Sequence, residues 1–148
     1  MKTVIQRVKK AAVTINGGEK REIGEGLAVL AAFGKSDTPE ICRKTFEKIR
    51  NMRIFSNSEG KFDKSVADIN GALLIVSQFT LYADCKRGNR PDFMQAASFD
   101  EGKKMYEEFL KVAQSSGLKT ASGEFGADML VDIQNDGPVT IILDSENI

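Results

Sequence analysis

NDGPVT, residues 135–140, links two runs that read as strands, residues 127–133 and 139–143. How it is read decides how the chain closes. Asn135-Asp136-Gly137 is hairpin-turn chemistry, because Asp-Gly supplies the positive φ of a tight turn. On that reading NDGP joins two closing strands. Pro138 complicates it. Proline has no N–H to give a central ladder, and a Gly-Pro bond takes the cis form at modest cost, which re-aims the carbonyls beside it. From these residues alone, a plain turn and a functional element both stay open.

Upstream, strands dominate. Residues 3–8 and 12–15 are rich in β-branched side chains, and Asn16-Gly17-Gly18 turns the chain into a strand around residues 20–23. GLAVLAAF, residues 26–33, is a continuous apolar run bounded by glycines and reads as a buried strand. ALLIVSQFT, residues 72–80, is the strongest strand signal. Two helices interrupt. Asp37-Thr38-Pro39-Glu40 starts the first, with Ile41, Thr45, Ile49 and Met52 at helical spacing, and it ends near Arg53. Ser98-Phe99-Asp100-Glu101 fits a capping box ahead of the apolar stripe Met105, Phe109, Val112, and Gly117 is its stop. Residues 56–65 and 84–97 read as polar loops, and the tail beyond Leu143 as a frayed end. The expectation is one α+β domain over residues 1–148, strand-rich sheet layers covered by the two helices.

The composition excludes several classes. The chain has 148 residues, with Lys+Arg and Asp+Glu at 21 each, so no global basic field advertises a nucleic acid. Histidine is absent, which removes Ser-His-Asp, Cys-His and His-ligated metal chemistry. Cys42 and Cys85 have no metal spacing and read as structural. Asp84, Asp128, Asp132 and Asp136 are scattered and read as solvated surface. MKTVIQRVKK has no apolar h-region, and no stretch is apolar enough to span a membrane. Expected are a cytosolic location, no metal and no cofactor.

Chemistry has two further candidate seats. SQFTL, residues 77–81, puts Ser77, Gln78 and Thr80 where an apolar strand runs out. Backbone N–H groups released from a ladder there suit an oxyanion hole. Thr80 as a nucleophile needs a base, and sequence supplies none beside it. CKRGNRPDF, residues 85–93, clusters Lys86, Arg87 and Arg90 near Phe93. Cations hold phosphates and an aromatic stacks on an unpaired base. The bland alternatives are a strand leaving the core and a solvated loop.

Together the motifs IQRV (5–8), GLAVL (26–30), RIFSNSEGK (53–61), SQFTLYAD (77–84), RGNRPDF (87–93), FGADM (125–129) and NDGPVT (135–140) resemble the D-aminoacyl-tRNA deacylase family of the bacterial and eukaryotic type, nearly end to end. The resemblance implies a cytosolic homodimer with active sites at the interface. It implies hydrolysis of the ester between a D-amino acid and the terminal adenosine of tRNA, with glycyl-tRNA also cleaved, as chiral proofreading in translation quality control. It implies catalysis at Ser77, Gln78, Phe79 and Thr80, chiefly through the N–H groups around Phe79 and Thr80. Gly137 and Pro138, joined by a cis peptide and reaching into the partner's pocket, would be the chirality filter, with Met129 contributing to substrate binding. Lys86, Arg87, Arg90 and Phe93 would meet the CCA end, and Arg7 and Asn135 would support the filter. One departure is Tyr82, where the family often has a small or aliphatic residue. The rival readings are a non-catalytic binder of single-stranded nucleic-acid ends and a generic small-molecule esterase, which would hydrolyse free amino-acid esters as readily.

Overall fold

The computed structural model describes residues 1–86 and 88–148. Its organising element is β1 (Lys2–Ile15), a single strand where the sequence reads two. Register shifts between Gln6 and Val8 and between Val8 and Lys10 let Lys9 and Lys10 face solvent without ending the ladder.

Along one edge of β1 run β2 (Glu19–Ile23) and β3 (Gly26–Ala32), both antiparallel to it. β6 (Ala72–Ser77) lies parallel to β3, and β7 (Thr120–Ser122), a strand too short for sequence to signal, lies parallel to β6. Gly26 sits where these strands come closest, since a Cβ there would run into the Ala72 backbone. β2 curls back towards β7, where Arg21 Nη1 donates to Ser122 O at 2.8 Å. The mixed sheet is therefore nearly barrel-like.

The other edge of β1 carries β8 (Met129–Asp144), and here the hairpin expectation is corrected. NDGP does not turn the chain back. Met129–Asn135 and Thr140–Asp144 both pair antiparallel with β1, as one strand. Between the pairs Gln6–Thr140 and Val8–Asn135, only Arg7 of β1 faces residues 136–139, so the excess chain is extruded as a bulge. β1 is long enough to pair both halves, and that long-range pairing overrides the local turn preference.

The helices form as expected. α1 (Pro39–Asn51) is capped by Thr38, whose hydroxyl accepts from Ile41 N–H, with Pro39 at the first turn. α2 (Phe99–Ser115) carries the reciprocal Ser98–Glu101 capping box. Their apolar faces meet the sheet in one core, where Phe109 packs edge-on to Phe46 and Phe33 at centroid distances of 6.0 and 6.3 Å. A second core, with Val8, Val13, Ile23, Leu74 and Val76, fills the curled side of the sheet.

Three more expectations change. The strand into the SQFT segment stops at Ser77 and does not run to Thr80. Residues 56–65 contain part of a small hairpin, β4 (Phe55–Ser56) with β5 (Phe62–Lys64). The tail is not frayed at its start. Ser145 N–H donates to Met1 O at 2.8 Å, and the Met1 ammonium reaches Ser145 Oγ and Asp37 Oδ1, each at 2.6 Å. No helix among the described residues is long and apolar enough to cross a membrane.

Phe109 is fully buried at the junction of both helices and the sheet. Phe109→Ala is expected to cost about 3–5 kcal/mol of stability, seen as a lower urea midpoint with the slope unchanged.

Candidate active site

The site begins where β6 runs out of partners. Ala72 to Val76 are buried, and the last ladder contact is Gln78 N–H donating to Ala31 O at 2.8 Å. The chain then tightens into a 3-10 turn, Phe79–Tyr82, with Leu81 N–H donating to Gln78 O and Ala83 N–H to Thr80 O. Among the described residues, no acceptor takes the N–H of Phe79 or of Thr80. Two adjacent donors are thus left at the strand end.

Beside them opens a cavity of about 470 Å³, which Ser77, Gln78 and Phe79 line and Thr80 does not. Its walls are phenylalanines, Phe33, Phe79, Phe93, Phe99 and Phe125, and its floor is built from small residues of β3, of the loop before α2 and of the loop after β7. The small residues are a packing requirement. A Cβ on Gly126, which has φ +79°, would approach the Phe99 ring to 2.9 Å, and one on Gly102 would crowd Phe125. Phe99 and Phe125 therefore meet edge-on at 5.2 Å. Behind them the buried Tyr106 hydroxyl donates to Ile75 O at 2.9 Å and lies 3.3 Å from Gly123 O, tying α2 to β6 just before the site. Burial pushes the Tyr106 phenol above its ordinary pKa, so it remains a donor.

Gln78 Nε2 donates to Thr80 Oγ1 in a close contact. The partner of the Thr80 hydroxyl among the described residues is thus a neutral side-chain amide, which is no general base in either orientation. The turn is held from behind by Tyr82. Its ring lies beneath Lys2 Nζ at 4.9 Å from the centroid, and its hydroxyl fills the space a Cβ on Gly34 would need.

The basic loop is pinched by reciprocal backbone bonds between Asp84 and Asp92, at 2.7 and 2.9 Å. Phe93 thereby reaches Phe79, edge-on at 5.1 Å, so these two sequence candidates do meet. Lys86 and Arg90 are exposed on the loop, and Arg87 lies outside the described residues.

The bulge on β8 is built from different parts. Gly137–Pro138 is a cis peptide, exposed, with Gly137 at φ +114°. Asn135 clips its base with all four hydrogen-bonding positions in use. Its Nδ2 donates to Arg7 O and Val139 O, both at 3.0 Å, and its Oδ1 accepts from Gln6 Nε2 and Thr140 Oγ1. Arg7 Nε lies 3.0 Å from Asp136 Oδ2, off the line of a good hydrogen bond. Within one chain the bulge is roughly 20 Å from the cavity by strand spacing and rise, since it sits across β1 and β3 from β6 and several residues lower. Met129 is not beside the bulge. It stands at the other end of β8, with its sulfur against Gly123, and does not line the cavity.

Sequence missed much of the cavity wall. Phe99 and Phe125 carried the only signal, an apolar residue straight after a helix cap and a phenylalanine ahead of Gly126.

The sequence model of the D-Tyr-tRNA(Tyr) deacylase family matches residues 4–144. The chain belongs to that family. Over 145 residues it is 50% identical to the D-aminoacyl-tRNA deacylase of Clostridium botulinum (strain Alaska E43 / Type E3), covering 98% of this chain and 97% of the relative. Among solved structures, one described as c-Myc DNA Unwinding Element Binding Protein superposes with TM-score 0.90 at 42% identity, covering 97% of this chain and 98% of that one. A probable eukaryotic D-amino acid tRNA deacylase shares the fold, with TM-score 0.86 at 18% identity over 96% and 97% of the two chains. The family resemblance and the α+β fold are thus both borne out. The chain is a hydrolase of the D-aminoacyl-tRNA deacylase type, with aminoacyl-tRNA as substrate.

Neither thiol lines the cavity. Cys42 is buried, which pushes its thiol up to about 11, while Cys85 is exposed. A thiol-specific disulfide reagent at neutral pH should label Cys85 in the native protein and reach Cys42 only after denaturation; fast labelling of both would contradict this packing.

Proposed function

We propose that the cavity at the end of β6 hydrolyses the ester of D-aminoacyl-tRNA by positioning and oxyanion stabilisation, without a protein nucleophile. The observation that carries this is the pair of N–H groups at Phe79 and Thr80 that no acceptor among the described residues takes, beside a Thr80 hydroxyl whose partner there is the neutral Gln78 amide. An aminoacyl ester is already activated. Water adds to its carbonyl carbon, the oxygen gains negative charge, and the two N–H groups receive it. Collapse expels the ribose 3′-oxygen, which takes up a proton, leaving free tRNA and the amino acid. The neighbouring 2′-hydroxyl of the substrate orients the water. The phenylalanine walls around Phe93 take the terminal adenine, and Lys86, Arg87 and Arg90 meet phosphates of the CCA end, which calls for only a modest salt dependence.

The site is completed by a second copy. The Gly137–Pro138 bulge is too far from its own cavity to act there. β8 lies at the open side of β1, with Leu130 67% and Ile142 78% exposed on it, and apolar side chains on such an edge suit an isologous homodimer. The exposed backbone at Gly137 and Pro138 then offers carbonyl oxygens to the substrate's α-ammonium and crowds the side of the α-carbon that an L side chain would need. Glycine, lacking a Cβ, passes. This is chiral proofreading for translation in the cytoplasm. Arg7 and Asn135 hold the filter, and Met129, packed by Gly123 beside Val76 at the end of β6, adds to substrate binding in the site that the partner's filter enters.

The neighbour with a DNA-binding name favours a second reading, a binder of nucleic-acid ends that does not turn over. Ester release decides between them. Purified protein should release D-tyrosine from D-tyrosyl-tRNA and leave L-tyrosyl-tRNA at its spontaneous rate; release of neither supports the binder. Thr80→Ala should keep turnover within about tenfold of wild type, whereas losing a true nucleophile costs on the order of 10⁶-fold. Arg87→Glu with Arg90→Glu should raise KM for aminoacyl-tRNA; an unchanged KM removes the loop from the substrate path.

A further inference from the structure

The RIFSNSEGK segment has no part in the cavity, yet it builds an arm of its own. β4 and β5 pair only at Phe55–Lys64 and Ser56–Phe62, and Asn57 closes the tip by accepting N–H bonds from Glu59 and Lys61. So short a ladder does not stand alone in water. It is rooted by the buried Ile54 and Phe55, and it also meets Arg7. Ile54 O accepts from Arg7 Nη1 at 2.7 Å, and the Phe62 ring lies 5.4 Å from Arg7 Cζ. Phe62 remains 55% exposed, so core burial does not account for it. Arg7 itself is only 11% exposed in its side chain. Besides Ile54 it touches the bulge, with Nε 3.0 Å from Asp136 and Nη2 where a Cβ on Gly137 would come within 2.9 Å.

We propose that the β4–β5 arm is a strut for the Gly137–Pro138 bulge, and that Phe62 is a positioning residue for stereochemical selectivity, acting through the Arg7 guanidinium. The inference rests on the reading of the bulge as the chirality filter. Ile54 O fixes one end of the guanidinium and the Phe62 ring covers its face, which together aim it at Asp136 and Gly137. Without the ring, that face regains water and the guanidinium is free to swing away. Asn135 still clips the base of the bulge, so the bulge persists but its apex loses its backing. An apex that yields admits an L side chain. Phe62 does not line the cavity, and Asn135 still presents the Gly137 and Pro138 carbonyls, so the groups that cleavage of D substrates needs stay in place.

The test compares wild type, Phe62→Ala, Phe62→Leu and Phe62→Tyr for kcat/KM on D-tyrosyl-tRNA and L-tyrosyl-tRNA, with thermal melts as a check of folding. Phe62→Ala and Phe62→Leu are expected to keep D cleavage and to raise the L-to-D ratio about tenfold, the scale of losing a partly desolvated cation–π contact. Phe62→Tyr keeps the ring and should keep the wild-type ratio. An unchanged ratio in Phe62→Ala overturns the proposal, and so does a parallel fall of D and L cleavage, which would make the arm a matter of assembly or folding. Wild-type protein that cleaves neither substrate would overturn the catalytic reading itself, an outcome visible before any variant is made.

Discussion

The ladder between β1 and β8 is the constraint on which the rest depends. β1 holds β2 and β3 on one edge and the whole of β8 on the other, and each neighbour inherits its position from that register. A slip of one residue would turn Ile5, Val8 and Val13 out of the two cores and Lys9 into one of them. The bulge is a product of the same ladder. Both halves of β8 are locked to β1, so the surplus residues between Asn135 and Thr140 can only project from the sheet, opposite Arg7. Asn135 then fixes the projection with four hydrogen bonds, more than a side-chain amide on a solvated turn would keep.

What was legible in the sequence follows from the range of the interactions. The helices were readable to within a residue or two because caps and apolar spacing are local, as Thr38–Pro39 and Ser98–Glu101 demonstrate. β3 and β6 were readable because a buried central strand is apolar throughout. The NDGP segment reads locally as a hairpin turn because Asp-Gly is a local signal and β1 pairing is not. The end of β6 at Ser77 was missed for the same reason, since only the position of Ala31 settles where the ladder stops.

The candidate site divides in the same way. SQFT and Phe93 announced themselves as polar residues at a strand end and an aromatic in a basic loop. The alanines and glycines of the cavity floor gave no signal, because their contribution is the space they leave for Phe99 and Phe125. Met129 belongs to the matching motif FGADM, yet β8 carries it to the end remote from Gly137. A motif gives membership in a family; only the strand direction says which residues share a location. The small arm at residues 55–64 shows the converse, a segment with polar, loop-like composition whose packing against Arg7 gives it a mechanical place in the fold.

The lining of the cavity has one more consequence. Its side chains are phenylalanine, alanine, serine and glutamine, with glycine between them, and none of them titrates. Such a surface has no protein acid or base to write a bell into the pH dependence of the rate. An inflection in the rate is then to be sought in the bound molecule or in groups outside this lining. This lining contributes shape and fixed dipoles, both indifferent to pH until the fold itself gives way.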